Sequence, residues 1–199
     1  MSISYPLALP TITGIRSVDF RAVNAVAYSQ SPFTFSGQAH AYQGQMWQAE
    51  ITLPAMNRGT AETWIAFLLS LRGQFGTFLL GDPRGCALRG TATSCTITGS
   101  AGDNTVSAVV PIHETLAAGD YIQLGSGANA TLHKVLVNYT GTGSAADLEI
   151  WPALRVNRSA VAATLSYTKG VFRLSSNEQG WSSNELAKYG ITFAAREAI

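Results

Sequence analysis

The stretch that decides the fold runs from residue 47 to residue 83 and opens with WQAEITLP at positions 47–54. Apolar residues alternate with polar ones from Trp47 to Leu53, and that period of two predicts a half-buried β-strand with Trp47 facing the core. An amphipathic segment follows, and FGTFLLGDP closes the stretch at positions 75–83. A strand, one helix and a further strand are therefore expected here, in a chain that otherwise reads as short strands and turns.

The helix has a signal at each end. Thr60 is expected to cap its first turn, and Glu62 follows where a negative charge suits the helix dipole. Arg72 is expected in the last turn, with Gly73 as the left-handed cap. Apolar residues at helical spacing predict one buried stripe, made of Trp64, Ile65, Leu68 and Leu71.

The composition indicates a globular chain with a sizeable core and a weakly charged surface. Of 199 residues, 46% are apolar and only 13% are charged, about half the usual ~25%. Such a surface suits packing against copies of itself. A net charge of +1 without a basic run argues against nucleic-acid binding. No apolar run reaches the ~20 residues that span a bilayer, and no signal-peptide pattern opens the sequence, so a cytoplasmic site of synthesis is expected.

Residues 86–170 are rich in Gly, Ala, Ser and Thr and predict a small closed β-barrel or sandwich. Short strands are expected at 92–98, 105–110, 120–124, 132–138, 148–151 and 160–168. Glycine-rich turns are expected between them, at 99–104, 125–129 and 141–144. Gly125-Ser126-Gly127 belongs to one of these turns and is not a nucleophile elbow.

The remaining segments predict a first domain that this barrel interrupts. Residues 1–16 read as an extended N-terminal segment, a strand is expected at 17–28, and an uncharged loop at 29–45. Near the end of the chain, the alternating residues 191–195 predict a strand that pairs back into the first sheet. The expected architecture is mainly β. Residues 1–85 and 171–199 form a β-sandwich with one flanking α-helix, and residues 86–170 form the inserted barrel.

No catalytic residue, cofactor or metal site is expected. Cys86 and Cys95 are expected to be free thiols, although a bridge across a hairpin stays open. The sequence has no CxxC and only three His, so no structural zinc site is expected. Cys86 with His40, His113 or His133 has no local feature that supports a dyad.

Glu149 beside Trp151 is the best candidate for a sugar site, because a carboxylate next to an aromatic face suits a pyranose. The favoured interpretation is a strand in which Trp151 is half-buried and Glu149 faces solvent. Arg155 and Arg173 are each flanked by apolar residues. They are either ion-pair partners at a domain or subunit junction, or ordinary surface arginines.

The strand–helix–strand unit at 47–83 resembles the N-terminal part of distal tail proteins and related minor tail proteins of long-tailed bacteriophages, the siphophages. Four later segments are similar to the inserted domain of that family: 118–124, 132–135, 150–155 and 171–174. Residues 189–193, with 196–198, are similar to its closing strand. The resemblance therefore covers most of the chain.

This resemblance implies a tail-tube-like β-sandwich arranged as a homo-hexameric ring, with an inserted barrel for which the OB type is one form. Such a ring joins the tail tube protein to the tail hub or baseplate proteins. It belongs to the virion tail, is assembled in the cytoplasm of the bacterial host, and needs no membrane and no nucleic-acid contact beyond DNA passage. Candidate subunit-interface residues are Phe33, Phe35, Tyr42, Arg155 and Arg173.

Three other functions stay open on the sequence alone. A carbohydrate-binding module would present Trp151 or Tyr139 to a surface glycan. An enzyme acting on cell-wall polymers is a second alternative. A tail terminator or tube subunit is a third, although the inserted barrel favours the distal position.

Overall fold

The computed structural model describes residues 3–12, 14–186 and 188–199. Met1, Ser2 and Thr13, which belong to the expected N-terminal segment, and Ala187 lie outside the described residues. The described residues are mainly β with one α-helix, as the sequence predicts. The elements are β1 (Ser17–Gln30), β2 (Gly37–Thr52), α1 (Arg58–Ser70), β3 (Phe78–Leu80), β4 (Thr96–Gly99), β5 (Thr105–Val109), β6 (Thr115–Leu116), β7 (Tyr121–Leu124), β8 (Thr131–Val135), β9 (Tyr139–Thr140), β10 (Ala146–Trp151), β11 (Arg158–Thr164), β12 (Gly170–Leu174), β13 (Trp181–Ser183) and β14 (Tyr189–Glu197).

The first sheet has the antiparallel strand order β1–β2–β14–β12–β3, with β13 also paired to β14. The predicted closing strand is confirmed, since β14 lies in the middle of this sheet and pairs with β2 from Gln48 to Thr52. At the far edge, Leu7 of the N-terminal segment pairs with β3 through hydrogen bonds of 2.8 and 2.9 Å. The N-terminal segment therefore covers the edge opposite β1.

The helix packs its apolar stripe on this sheet. Trp64 and Leu68 are fully buried, and the Trp64 ring lies 6.4 Å from the ring of Phe193 on β14. Phe78 on β3 contacts Phe193 as well, with the ring centroids 6.2 Å apart. The burial of β2 alternates from Trp47 to Thr52, which confirms the half-buried strand at the start of the stretch.

The ends of the helix differ from the prediction. Thr60 is not the cap, because Asn57 lies three residues earlier and its side-chain oxygen accepts the N–H of Thr60 at 3.1 Å. The helix ends at Ser70, so Arg72 lies beyond it rather than in its last turn. Gly73 does have a left-handed φ of 66°, as expected for a residue that turns the chain away from a helix.

The second unit is a closed barrel with the strand order β10–β5–β4–β11–β7–β8. Its six strands correspond to the six that the sequence predicts. An OB barrel has five strands, one fewer than this barrel. β10 and β11 close it because each pairs with two neighbours along different parts of its length. All barrel strands lie within the segment predicted as an insertion, whereas the small sheet β6–β9 was not predicted.

The prediction of a loop at 29–45 is wrong. β1 and β2 pair antiparallel from Ser17 with Thr52 out to Gln30 with Gly37, and only the residues between Gln30 and Gly37 form the connecting turn. The outer residues are exposed on both faces. A pattern search looks for one buried face, so a ribbon without one does not show as a strand.

His133 lies on β8, a strand of the barrel, and is fully buried. Its Nδ1 lies 2.7 Å from the main-chain oxygen of Pro152, and its Nε2 lies 2.9 Å from the hydroxyl of Thr131. Since a carbonyl oxygen can only accept, Nδ1 carries a proton. Burial above all, with Arg155 and Arg158 nearby, lowers the pKa of His133 from 6.5 to about 4.

The fold should therefore lose stability in acid through this side chain. The unfolded chain protonates His133 near pH 6.5 and the folded chain only near pH 4, so the unfolded state binds more protons in between. We expect the free energy of unfolding to fall by on the order of 3 kcal/mol from this residue as the pH drops across that window. Urea unfolding of the wild type and of His133→Gln measures this. A pH dependence of equal slope in the variant would contradict the assignment.

Candidate subunit-assembly surface

A two-stranded ribbon projects from the first sheet and is called the arm below; it comprises residues 24–45. β14 pairs with β2 only as far as Gln48, so the outer half of β2 has β1 as its one strand neighbour among the described residues. β1 is itself the edge strand of the sheet. An isolated two-stranded hairpin is marginally stable at best in water.

One face of the arm is apolar. Val26 is opposite Ala41 and Tyr28 is opposite Ala39, and directly opposed residues of an antiparallel pair lie on the same face. Tyr28 lies across Gly37, where an added Cβ would come within 2.3 Å of the Tyr28 hydroxyl oxygen. This face therefore presents one valine, one tyrosine ring and small residues, with Gln30 opposite Gly37 at its outer end.

The apolar face continues the stripe that forms the protein core. Counting in twos along β1 leads from Phe20, which contacts Trp47, through Ala22 and Asn24 to Val26 and Tyr28, with a register irregularity in the β1–β2 pairing between Asn24 and Val26. Phe20 packs against the core, but Val26 and Tyr28 are 54% and 63% exposed. Val26 and Tyr28 thus follow the pattern of the core-facing residues but lie outside the core of the single chain.

The tip of the arm is a turn held by its own hydrogen bonds. The N–H of Phe35 donates to the oxygen of Ser31, and the side chain of Gln30 donates to the oxygen of Phe35, both at 2.9 Å. Phe35 has a φ of 57°, which is uncommon for a residue with a side chain. Phe33 and Phe35 are 91% and 74% exposed, so the turn presents both rings to solvent.

Tyr42 does not share the apolar face or the tip. Its ring lies edge-on to His40 with a centroid distance of 4.8 Å. His40 is opposite Ala27, one position out of step with Val26 and Tyr28, and therefore on the other face. Of the three aromatic residues predicted at an interface, the structure brings Phe33 and Phe35 together and separates Tyr42 from them.

The foot of the arm is fixed to the barrel through Gln45 and Asn24. The Gln45 side-chain oxygen accepts the N–H of Ala153 at 2.7 Å and the amide of Asn104 at 3.2 Å. The Asn24 side-chain oxygen accepts the indole N–H of Trp151 at 2.8 Å. These bonds fix the direction of the arm relative to the barrel, and no sequence pattern pointed to either residue.

Arg155 proves to be an ion-pair partner at the junction of barrel and sheet. Its Nη2 and Nε lie 2.6 and 3.2 Å from the two carboxylate oxygens of Glu197, and the side chains are 15% and 5% exposed. Nη2 also donates to the main-chain oxygen of Gln45 at 2.6 Å. Glu197 accepts the N–H of Trp47 at 3.1 Å as well. The pair therefore joins two parts of one chain. Nothing in the sequence marked Glu197 as a partner of Arg155, because it is simply an acidic residue at the end of an alternating strand.

Arg173 has a different environment. It is half-buried and its Nη1 donates to the main-chain oxygen of Gln74 at 3.4 Å. Among the described residues it has no carboxylate within ion-pair distance. The structure therefore gives it a local role between β12 and the segment after the helix.

The residues considered for chemistry lie on separate elements. His40 is on the arm, His113 is in the exposed turn after β5, and His133 is buried with both ring nitrogens hydrogen-bonded. Cys86 and Cys95 are free, as predicted, and burial raises the pKa of the Cys95 thiol to about 11. In the part of the chain that the structure describes, no group of three or more His, Cys, Asp or Glu side chains could hold a metal ion.

The two proposed sugar-binding aromatics differ in access. Tyr139 is buried and its hydroxyl donates to the oxygen of Ala108 at 2.9 Å, so it cannot present its face to a glycan. Trp151 is half-buried, as the favoured interpretation has it, and lines an open cleft of about 400 Å³ together with Phe20 and Lys134.

Comparison of the sequence with protein-family models gives no match, and comparison with curated proteins gives none. Within residues 3–12, 14–186 and 188–199, no helix has the length and apolar character needed to cross a bilayer.

The buried ion pair should dominate the stability of the junction. Removing Arg155 leaves the Glu197 carboxylate buried without its partner, so Arg155→Met should lower the free energy of unfolding by about 3–5 kcal/mol. Arg21→Met removes the exposed pair with Glu50, whose side chains are 67% and 46% exposed, and should cost about 1 kcal/mol or less. Urea unfolding compares the two variants. Equal losses would show that the junction does not depend on the pair.

Proposed function

We propose that this protein is a structural subunit of a long-tailed phage virion: a distal tail protein that forms a hexameric ring and joins the tail tube to the tail tip or baseplate hub. The observation that carries the proposal is the arm, whose apolar face extends the core stripe of β1 and β2 into solvent. Contact with a second copy would remove the exposed apolar side chains of this face from water. The sequence resemblance to distal tail proteins supplies the place of such a ring in the virion.

The arm also lacks the charges that keep sheet edges apart. Exposed edge strands usually carry charged residues or proline, because these prevent pairing with another chain. Residues 22–45 contain no Lys, Arg, Asp or Glu, and their one proline, Pro32, lies in the turn. The outer edge of β1 is therefore open to association along the whole arm.

A ring requires contacts that are heterologous and close by rotation. The arm supplies a projecting element at one edge of the sheet, and the junction with the barrel fixes its direction. The proposed partners are further copies of this chain, the tail tube protein, and the hub or baseplate proteins. The barrel favours the distal position over that of a repeated tube subunit, which has less reason to carry an added domain.

Removing the apolar face of the arm should abolish assembly without unfolding the chain. In Val26→Ser/Tyr28→Ser, each subunit contact loses the burial of two side chains. We estimate that loss at about 2 kcal/mol, which raises the dissociation constant roughly 30-fold. At a protein concentration between the two dissociation constants, light scattering should give a mass six times the 21.1 kDa of one chain for the wild type, and the mass of one chain for the variant.

The matched control is Leu69→Ser, which removes an exposed apolar side chain, 58% accessible, from the outer surface of the helix. It should assemble as the wild type does, and thermal unfolding should show that all three proteins are folded. A wild type that remains a single chain at every concentration would contradict a self-assembling ring. So would a double variant that still assembles.

A second candidate function rests on the cleft beside Trp151. The indole N–H is held by Asn24, and Lys134 lies over the ring of Tyr121 with its Nζ 4.4 Å from the ring centroid. A fixed aromatic side chain next to a cation and an amide is a suitable site for a saccharide that carries a carboxylate. On this proposal the protein would bind an acidic surface glycan.

Tryptophan fluorescence tests this candidate. An oligogalacturonate titration should quench the emission saturably, and Trp151→Phe should remove the response because the ligand stacks on that ring. Trp181→Phe, which changes an exposed tryptophan outside the cleft, should retain it. A flat titration for the wild type would exclude the glycan function and leave the ring proposal untouched.

A further inference from the structure

We infer that the tip of the arm of one copy docks in a cleft at the opposite edge of the next copy, with Phe33 and Phe35 as the inserted side chains. This inference rests on the proposed ring and names the surface that receives the arm. It follows from the positions of the arm and the cleft in the sheet, from the lining of the cleft and from the shape of the tip.

The strand order places the arm on one edge strand of the sheet and most of the cleft at the other edge, although Ile15, just before β1, also lines the cleft. The arm extends from β1 at one edge of the sheet, and β3 with Leu7 forms the other edge. In a head-to-tail ring of identical copies, a surface on one side of each subunit must fit a different surface on the other side. The partner of the arm is therefore to be sought near β3.

A cleft of about 310 Å³ lies at that edge, where the first sheet connects to the barrel. Apolar side chains form most of its lining, and they come from the N-terminal segment, from β3 and from the turn that follows it: Leu9, Pro10, Ile15, Leu79 and Pro83. A cavity of ~150 Å³ with such a lining already holds a benzene ring. The cleft therefore has room for one phenyl ring with the second beside it.

The polar part of the lining combines an exposed aromatic side chain, Tyr167, with two charged ones, Asp82 and Lys169. Tyr167 is 73% exposed and has a φ of 51°. Its N–H donates to the oxygen of Cys86 at 2.7 Å, which holds this unusual backbone in place. Asp82 uses a carboxylate oxygen to accept the N–H of Arg84 at 2.8 Å. A large aromatic side chain is thus presented at the mouth of an apolar cleft.

The tip of the arm is preorganised for such a contact. Hydrogen bonds within the turn hold Phe33 and Phe35 outward without support from the rest of the chain, so little ordering accompanies docking. Backbone strain of the kind seen at Phe35 and Tyr167 clusters at binding surfaces. The arm and the cleft each carry one such aromatic residue.

Cys86 provides the test, because it lines the cleft and is half-buried, whereas Cys95 is fully buried in the barrel. Thr34 lies between the two phenylalanines and is exposed. If the tip docks in the cleft, Thr34→Cys should form a disulfide with Cys86 of the next copy when the assembled protein is treated with diamide. A non-reducing gel should then show a ladder of covalent multimers that ends at the ring.

Two controls define the result. Thr34→Cys/Cys86→Ser should give no ladder, and Ser144→Cys, an exposed position in a barrel turn, should give no bond to Cys86. A ring by light scattering without a Thr34→Cys ladder would overturn this inference and leave the proposed function intact. Covalent dimers that persist in the double variant would also overturn it, because they would show tip-to-tip contact. The absence of any assembled species would refute both.

Discussion

The carboxylate of Glu197 holds the two units of this protein in one arrangement. β14 pairs with β2 as far as Gln48, and at the next residue the Glu197 side chain accepts the N–H of Trp47. Arg155 then binds that carboxylate and the main-chain oxygen of Gln45. Beyond Gln48, the main chain of β2 is therefore bound by the side chains of Glu197 and Arg155 instead of by β14. Because Arg155 belongs to the segment after β10, these bonds also fix the barrel to the end of the sheet.

The direction of the arm follows from this junction. Its foot is hydrogen-bonded to the barrel by Gln45 and Asn24, while its outer half has no further strand beside it among the described residues. A ribbon that is rigid at its base and apolar on one face is suited to reach a neighbouring molecule. The buried ion pair at the junction thus fixes the position of an uncharged surface, which under the proposed function is the surface for contact between chains.

Local patterns predicted much of the fold. The barrel strands and the helix stripe follow from alternation, helical spacing and glycine-rich turns, which act over a few residues. The cap at Asn57 was missed because Thr60 offers the same chemistry three residues later. The strand predicted at 17–28 is confirmed by β1, but the outer part of β2 was missed because alternation reports burial, and neither face of the arm is buried in one chain.

The junction could not be predicted for a different reason. Arg155 and Glu197 are far apart in the sequence, and either could be an ordinary surface residue until the fold brings them to 2.6 Å. In the sequence Gln45 lies in the predicted loop and Asn24 in the predicted strand at 17–28, with no signal for a contact to the barrel, yet both bind it. Phe33, Phe35 and Tyr42 were proposed as interface residues because they are aromatic and lie in an uncharged segment, which is a property of composition and needs no knowledge of the fold; their role stays a prediction.

Amide hydrogen exchange along the arm tests most directly whether the arm is an assembly element. The rates for residues 26–30 and 37–41 are to be compared in the same protein, dilute as single chains and concentrated as the assembled form. We expect these amides to exchange much more slowly in the assembled form, because a neighbouring copy covers the apolar face and the open edge of β1. Equal rates in both forms, with assembly verified by mass, would show that the arm remains in solvent and that the subunits meet elsewhere.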